Sequence, residues 1–245
     1  MILTTAIIKG GTGKTTTAAA LAQAAASKGK RVLCIDLEPQ SNLSFFLQAD
    51  STRPGSYDLL KRRAAAVDLI QPTAQHIDII TGSAELATIT TRAGSGEKLR
   101  EALTPIKRSY DLIIIDTAPA FSDLVYNALL ASDYLLIPLA LDMPSIKGAL
   151  QIHDVAENLR ARAGHGAGSF GAIITRANTR GNIYKKLQEV AEQYLSKDNI
   201  SLLGAIRQGV AIQEAQALQK SLYDYAPNSK PAADYMNIYN TLMHE

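Results

Sequence analysis

The residues Ile8-Lys9-Gly10-Gly11-Thr12-Gly13-Lys14-Thr15-Thr16 constrain this chain more than any other stretch. An apolar run over 2–8 leads into them, and an alanine-rich helical pattern over 15–28 leads out. Strand, glycine loop, Lys-Thr and helix, in that order, are the context a phosphate-binding P-loop requires. Glycines let backbone N–H groups turn inward around phosphate oxygens, and the helix N-terminus adds its positive dipole end. In such a loop Lys14 meets the β and γ phosphates, and the Thr15 hydroxyl is a ligand for Mg²⁺. The strict pattern asks for glycine where Ile8 stands, so that match fails.

Further apolar runs fall at 32–35, 77–80, 112–115, 134–139, 170–174 and 202–206. Short continuous Val/Ile/Leu runs read as parallel strands covered on both faces. Helical patterns lie between or after them at 96–108, 145–163, 181–195 and 231–243. This alternation predicts an α/β fold with a doubly wound, mostly parallel sheet, helices on both faces and a ligand at the strands' C-terminal ends. A length of 245 residues suits one domain over 1–245. The segment 49–74 is the least regular, and Ala-Gly-His-Gly-Ala-Gly-Ser at 163–169 reads as a flexible loop.

Composition sets bounds on function. With 47% hydrophobic and 20% charged residues the chain resembles an ordinary soluble globular protein. It has no apolar run of membrane-spanning length and no signal-peptide pattern, so a cytoplasmic location is expected. Cys34 sits in an apolar run and reads as a small buried hydrophobe. Disulfides and cysteine-held metal or iron–sulfur sites therefore have no support. A net charge of +2 is compatible with nucleic acid without arguing for it.

Two carboxylates stand at predicted strand ends. Asp36 opens Asp36-Leu37-Glu38-Pro39-Gln40, and Asp116 follows Leu112-Ile113-Ile114-Ile115 and precedes Thr117-Ala118-Pro119. Aliphatics bury such a strand and present its terminal carboxylate where a metal's water shell can be ordered. Each residue alone has a plainer reading, the Asp as a turn or cap residue and Glu38 as a solvated carboxylate.

Lys9 lies inside the loop as a second lysine, and Lys9-Gly10-Gly11-Thr12-Gly13-Lys14-Thr15-Thr16 resembles the deviant Walker A motif of the ParA/MinD superfamily. Asp36-Leu37-Glu38-Pro39-Gln40 is similar to its Asp-x-Asp-Pro-Gln switch I, and the strand ending at Asp116 to its Walker B and switch II. Later stretches match more loosely: Leu136-Ile137-Pro138 with Gly148, the strand carrying Thr175 and Arg176, and the pattern from Ile206 to Tyr235. Within the superfamily the chain resembles the ParA/Soj partition ATPases. The resemblance implies a P-loop fold, ATP and Mg²⁺, and weak intrinsic ATP hydrolysis. It implies phosphate contacts by Lys9, Gly10, Gly11, Thr12, Gly13, Lys14, Thr15 and Thr16, with Lys9 reaching across an ATP-bound homodimer. Thr175 and Arg176 fall where the family contacts the base. Thr15, Asp36 and Asp116 would order the metal, and Glu38 the attacking water. Glu38 stands where the family has Asp, and Arg207 where it has proline after Ile206.

The resemblance also implies non-specific DNA binding by the ATP-bound dimer, a ParB-like protein that stimulates hydrolysis and release, and nucleoid association. Arg180, Lys185, Lys186, Arg207, Lys220 and Lys230 are the candidate DNA contacts, although most surface lysines and arginines only solvate a helix face. Large members carry an N-terminal helix-turn-helix domain, and none is expected here. A MinD-like membrane-surface ATPase is an alternative, weakened because the tail 232–245 has no lysine or arginine. A ParA relative that positions a protein cargo is another, which the sequence leaves open.

Overall fold

The computed structural model describes residues 1–89, 96–179 and 182–244. Its strands are β1 (Ile2–Thr5), β2 (Val32–Leu37), β3 (Gln71–Pro72), β4 (Asp78–Ile80), β5 (Leu112–Thr117), β6 (Tyr134–Leu139), β7 (Ser169–Ala177) and β8 (Ser201–Arg207). Its α-helices are α1 (Lys14–Ser27), α2 (Asn42–Phe46), α3 (Ser56–Leu60), α4 (Ala66–Leu69), α5 (Lys98–Leu103), α6 (Asp123–Ala131), α7 (Met143–Ala163), α8 (Asn182–Ser196), α9 (Val210–Ala217), α10 (Leu222–Tyr225) and α11 (Lys230–His244). The strands form one sheet in the order β3-β4-β2-β5-β1-β6-β7-β8. Every pairing is parallel except that of β3 with β4.

Alternating side chains of each strand feed different cores. Leu112 and Ile114 of β5 join α1 and α11, whereas Ile113 and Ile115 join α3, α5 and α6. Leu135, Ile137 and Leu139 of β6 pack with α7 and β7 in a third cluster. A sheet buried on both faces needs such continuous aliphatic runs. Pro138 sits inside central strand β6. It lies two residues past Leu136, whose carbonyl accepts the Ala6 N–H, so its ring faces β1 beyond the end of that strand's ladder. No ladder hydrogen bond is lost there.

The structure corrects three local expectations. The helix read at 96–108 ends at Leu103, and a 3₁₀ turn (Lys107–Ser109) follows, because Pro105 cannot continue the backbone hydrogen bonding. The irregular segment 49–74 contains α3, α4 and β3. The loop at 163–169 is tied down, with Ala167 buried and the N–H groups of Ala167 and Gly168 donating to Leu129 O and Asp133 O. Gly181, the expected start of the next helix, and the DNA-contact candidate Arg180 lie outside the described residues.

Candidate functional site

The glycine loop turns between β1 and α1 at the C-terminal edge of the sheet. Gly11 and Gly13 have φ of 71° and 90°, left-handed values that strain any residue with a Cβ. The loop is braced from the next strand but one. Thr175 Oγ1 donates to Thr12 O at 2.7 Å, and the Arg176 guanidinium donates to Gly11 O. Arg176 itself is held at φ 51°, a costly conformation for a non-glycine residue and a common one at functional sites. Thr175 and Arg176 thus sit beside the loop.

Lys14 opens α1 and is buried. Burial pushes its ammonium pKa down, and the charges of Asp116 and Glu38 oppose that shift. Asp36 and Asp116 face one another in register across β2 and β5, both fully buried. Asp36 accepts from the Ser44 N–H at 2.9 Å, the Ser44 hydroxyl at 2.7 Å and the Glu38 N–H at 3.1 Å. Asp116 accepts from the Thr5 hydroxyl at 3.2 Å through Oδ1, while its buried Oδ2 has no donor. Desolvation raises both carboxyl pKa values, and the charge of Asp36 raises that of Asp116 further. Two desolvated carboxyls with one orphaned oxygen, beside the Thr15 hydroxyl, suit a hydrated divalent cation. Among the described residues no group of three or more His, Cys, Asp or Glu forms a cage. Such an ion would therefore complete its shell with phosphate oxygens and water.

Glu38 lies at the mouth of this cluster, 9% exposed, with Asn42 Nδ2 at 3.4 Å from its Oε2. Burial raises its pKa, against the Gln40 backbone and the nearby Lys14 charge. Lys9 behaves differently from Lys14. Its ammonium reaches Asp142 Oδ2 at 2.6 Å and Ser145 Oγ at 3.1 Å, and it stays about one-third exposed. Asp142 also caps α7 by accepting the Ser145 N–H at 2.8 Å. Burial pushes the Asp142 carboxyl up, but Lys9 and Ser145 hold it below its usual range. The sequence reading missed Asp142, although an Asp three residues before a Ser and two before Pro144 is a helix-start signal.

A cavity of about 490 Å³ opens beside the loop, between Gly11, Gly13, Thr16, Thr175 and Arg176 on one side and Ile206 to Gln216 on the other. Ile206, Val210 and Ile212 give it apolar walls, and Gln208, Gln213 and Gln216 give it amides. Gln216 is fixed by donating to the Thr16 hydroxyl at 3.1 Å. Of the candidate DNA contacts, Lys185, Lys186, Lys220 and Lys230 are exposed. They are not gathered on one face. Lys185 and Lys186 ride on α8, which packs with α7, whereas Lys220 and Lys230 accompany α9 and α11 on the opposite face. Arg207 is instead ion-paired within the chain, to Asp234 at 2.6 Å.

Residues 1–165 match a family described as an AAA domain. The sporulation initiation inhibitor protein Soj of Bacillus subtilis is 30% identical over 238 residues, covering 94% of this chain and 93% of that one. The chain belongs to the ParA/MinD family. A ParA/MinD relative in Synechococcus elongatus, the maintenance of carboxysome distribution protein A, is 33% identical over 165 residues, 65% of this chain and 66% of that one. The ATP complex of a McdA variant from Cyanothece shares the fold, with a TM-score of 0.87 at 23% identity over 98% of this chain and 95% of that one. Among the described residues of this ParA/MinD chain, no helix is long and apolar enough to cross a membrane.

Proposed function

We propose that this chain is a nucleotide-switched partition ATPase. It binds ATP and Mg²⁺, pairs with a second copy, holds DNA without sequence preference, and is released when a ParB-like partner stimulates hydrolysis. The observation that carries this reading is the opposite fate of two lysines on one glycine loop. Lys14 is buried toward Asp116 and Glu38, while Lys9 is turned away onto Asp142 at the surface. A lysine that serves its own site has no reason to be stored outside it. One that serves a partner's phosphates does.

In this reading the loop N–H groups and Lys14 hold the β and γ phosphates, and the cavity at Ile206–Gln216 takes the base. Thr15, Asp36 and Asp116 would hold Mg²⁺, which when bound neutralises charge on the phosphates. Glu38 orients the water that attacks the γ-phosphate in line, with ADP leaving and no covalent intermediate. Among the described residues the cavity lining carries no carboxylate, the usual acceptor for the guanine N1–H and amino group, which favours adenine.

Two variants test the reading. Lys14→Ala should abolish ATP binding, and unchanged ATP affinity would remove the P-loop assignment. Lys9→Ala should bind ATP yet remain monomeric by light scattering. Normal ATP-dependent dimerisation of Lys9→Ala would reduce the chain to a generic NTPase. The similarity to the carboxysome distribution protein supports a second reading, in which the switch positions a protein cargo. Affinity capture of the protein that stimulates hydrolysis separates the two.

A further inference from the structure

The loop that closes the proposed base cavity is fixed at three successive residues. Arg207 donates its backbone N–H to Asp234 Oδ2 at 2.9 Å, its Nε to the same oxygen at 2.9 Å and its Nη2 to Oδ1 at 2.6 Å. One carboxylate therefore grips both the main chain and the side chain of Arg207. Gln208 N–H then donates to Ala177 O at the end of β7. Gly209 presses on α11 so closely that a Cβ would stand 2.8 Å from Pro231 Cγ. Asp234 is nearly buried, its side chain 10% exposed, and it spends its oxygens on Arg207. Hydrogen-bonded charge pairs of this forked kind fix geometry as well as adding energy. Arg207 itself lines the cavity, and Gln208, Gly209, Val210, Ile212 and Gln213 continue the wall facing the phosphate loop.

We infer that Arg207 and Asp234 form a clamp that positions this wall for the nucleotide base, so that Arg207 serves ATP affinity rather than DNA contact. The inference rests on the reading of the cavity as the base pocket. Its physical basis is preorganisation. A wall already ordered by the clamp spends no binding energy on being ordered by the base. Arg207 touches neither phosphate nor reacting water in this scheme and is a positioning residue. The same arrangement explains how a chain with arginine at this position keeps a defined wall. Asp234 fixes the backbone of residue 207 from outside, through an N–H that proline lacks.

The test uses displacement of a fluorescent ATP analogue from the full chain by two competitors, ATP and inorganic tripolyphosphate, each with Mg²⁺. Arg207→Ala and Asp234→Ala should each weaken ATP by about tenfold, the scale of leaving one or two side chains to be ordered on binding. Tripolyphosphate, which has no base, should compete as it does with wild type, and this also reports an intact fold and phosphate loop. The double variant should be no weaker than the singles, because one clamp is lost only once. Arg207→Lys, which keeps the backbone hydrogen bond and the charge, should recover part of the loss. In turnover assays KM for ATP should rise while kcat at saturating ATP holds.

Unchanged ATP affinity in Arg207→Ala would overturn the inference. Equal loss of ATP and tripolyphosphate would also do so, because the clamp would then support the whole site. A variant that binds ATP normally but loses DNA at saturating ATP would return Arg207 to the DNA surface. Failure of both competitors on wild type would instead strike the nucleotide reading itself.

Discussion

At the scale of single residues, the site turns on how far a carboxylate reaches. Glu38 carries one methylene more than the family's Asp, which moves its oxygens by about an ångström. Glu38 stands beside the Asp36–Asp116 cluster and feels the Lys14 charge, and in the proposed reading it would orient the water that attacks the γ-phosphate. Glu38→Ala should therefore bind ATP and dimerise but hydrolyse about 10²- to 10⁴-fold more slowly, the usual worth of a positioned base. Glu38→Asp should keep or raise the partner-stimulated rate. Wild-type turnover by Glu38→Ala, with partner and DNA present, would assign the water to another group. Asp142 gives a second residue-scale outcome. In the proposed reading Lys9 would have to leave Asp142, which it contacts at 2.6 Å, before crossing to a partner, so the pair would oppose dimerisation. Asp142→Asn keeps the α7 cap while removing the opposing charge. Its ATP-dependent dimer should form at lower protein concentration in sedimentation, with ATP affinity unchanged. A dimer weaker than wild type would show that Asp142 serves the assembled state instead.

At the scale of elements, what the sequence made legible was whatever depends on local pattern. The central strands announced themselves because a sheet covered on both faces leaves no polar position to interrupt the run, and Asp36 and Asp116 stood out where those runs stop. The short elements α3, α4 and β3 lack such a run and exist through tertiary packing, as Leu59, Leu60 and Leu69 do in the α3–α6 cluster. The Lys9–Asp142 and Arg207–Asp234 pairs join residues far apart in the chain, so no spacing rule could show them. The β2–β5 tips also carry a pH prediction. Burial raises the carboxyl pKa of Asp36 from 3.8 to about 6 and that of Asp116 to about 7. The folded chain thus holds these protons at pH values where the unfolded chain has lost them. Their contribution to stability is greatest below about pH 4 and is lost as pH rises toward about 7. In the absence of nucleotide and Mg²⁺, the melting temperature of wild type relative to Asp116→Asn should fall across that window and level off above it. A difference that stays flat from pH 4 to pH 8 would show Asp116 to be ionised throughout.

At the scale of the whole molecule, the exposed lysines decide how DNA would be held. Lys185 and Lys186 on one face and Lys230 on the other flank β8, the strand at the end of the sheet, whereas Lys220 lies toward the opposite edge, beside Gln48, Ala74 and Gln75. A duplex lying over the β8 end would meet Lys185, Lys186 and Lys230, and a dimer would double them to on the order of six phosphate contacts. With about 0.9 counterions released per contact, the log–log salt slope should be about −5, a fall in affinity of about 10³ between about 50 and 200 mM salt. The contacts are to phosphates, so unrelated sequences should bind alike, and binding should require ATP because the dimer doubles the contacts one chain offers. Replacing Lys185 and Lys186 by Gln should reduce the steepness by about four units, and replacing Lys230 by about two. A slope that responds to only one of these replacements would confine the duplex to that face of the sheet. Tight binding without nucleotide, or none at low salt with ATP, would remove DNA from the cycle and leave a protein cargo as what the switch positions.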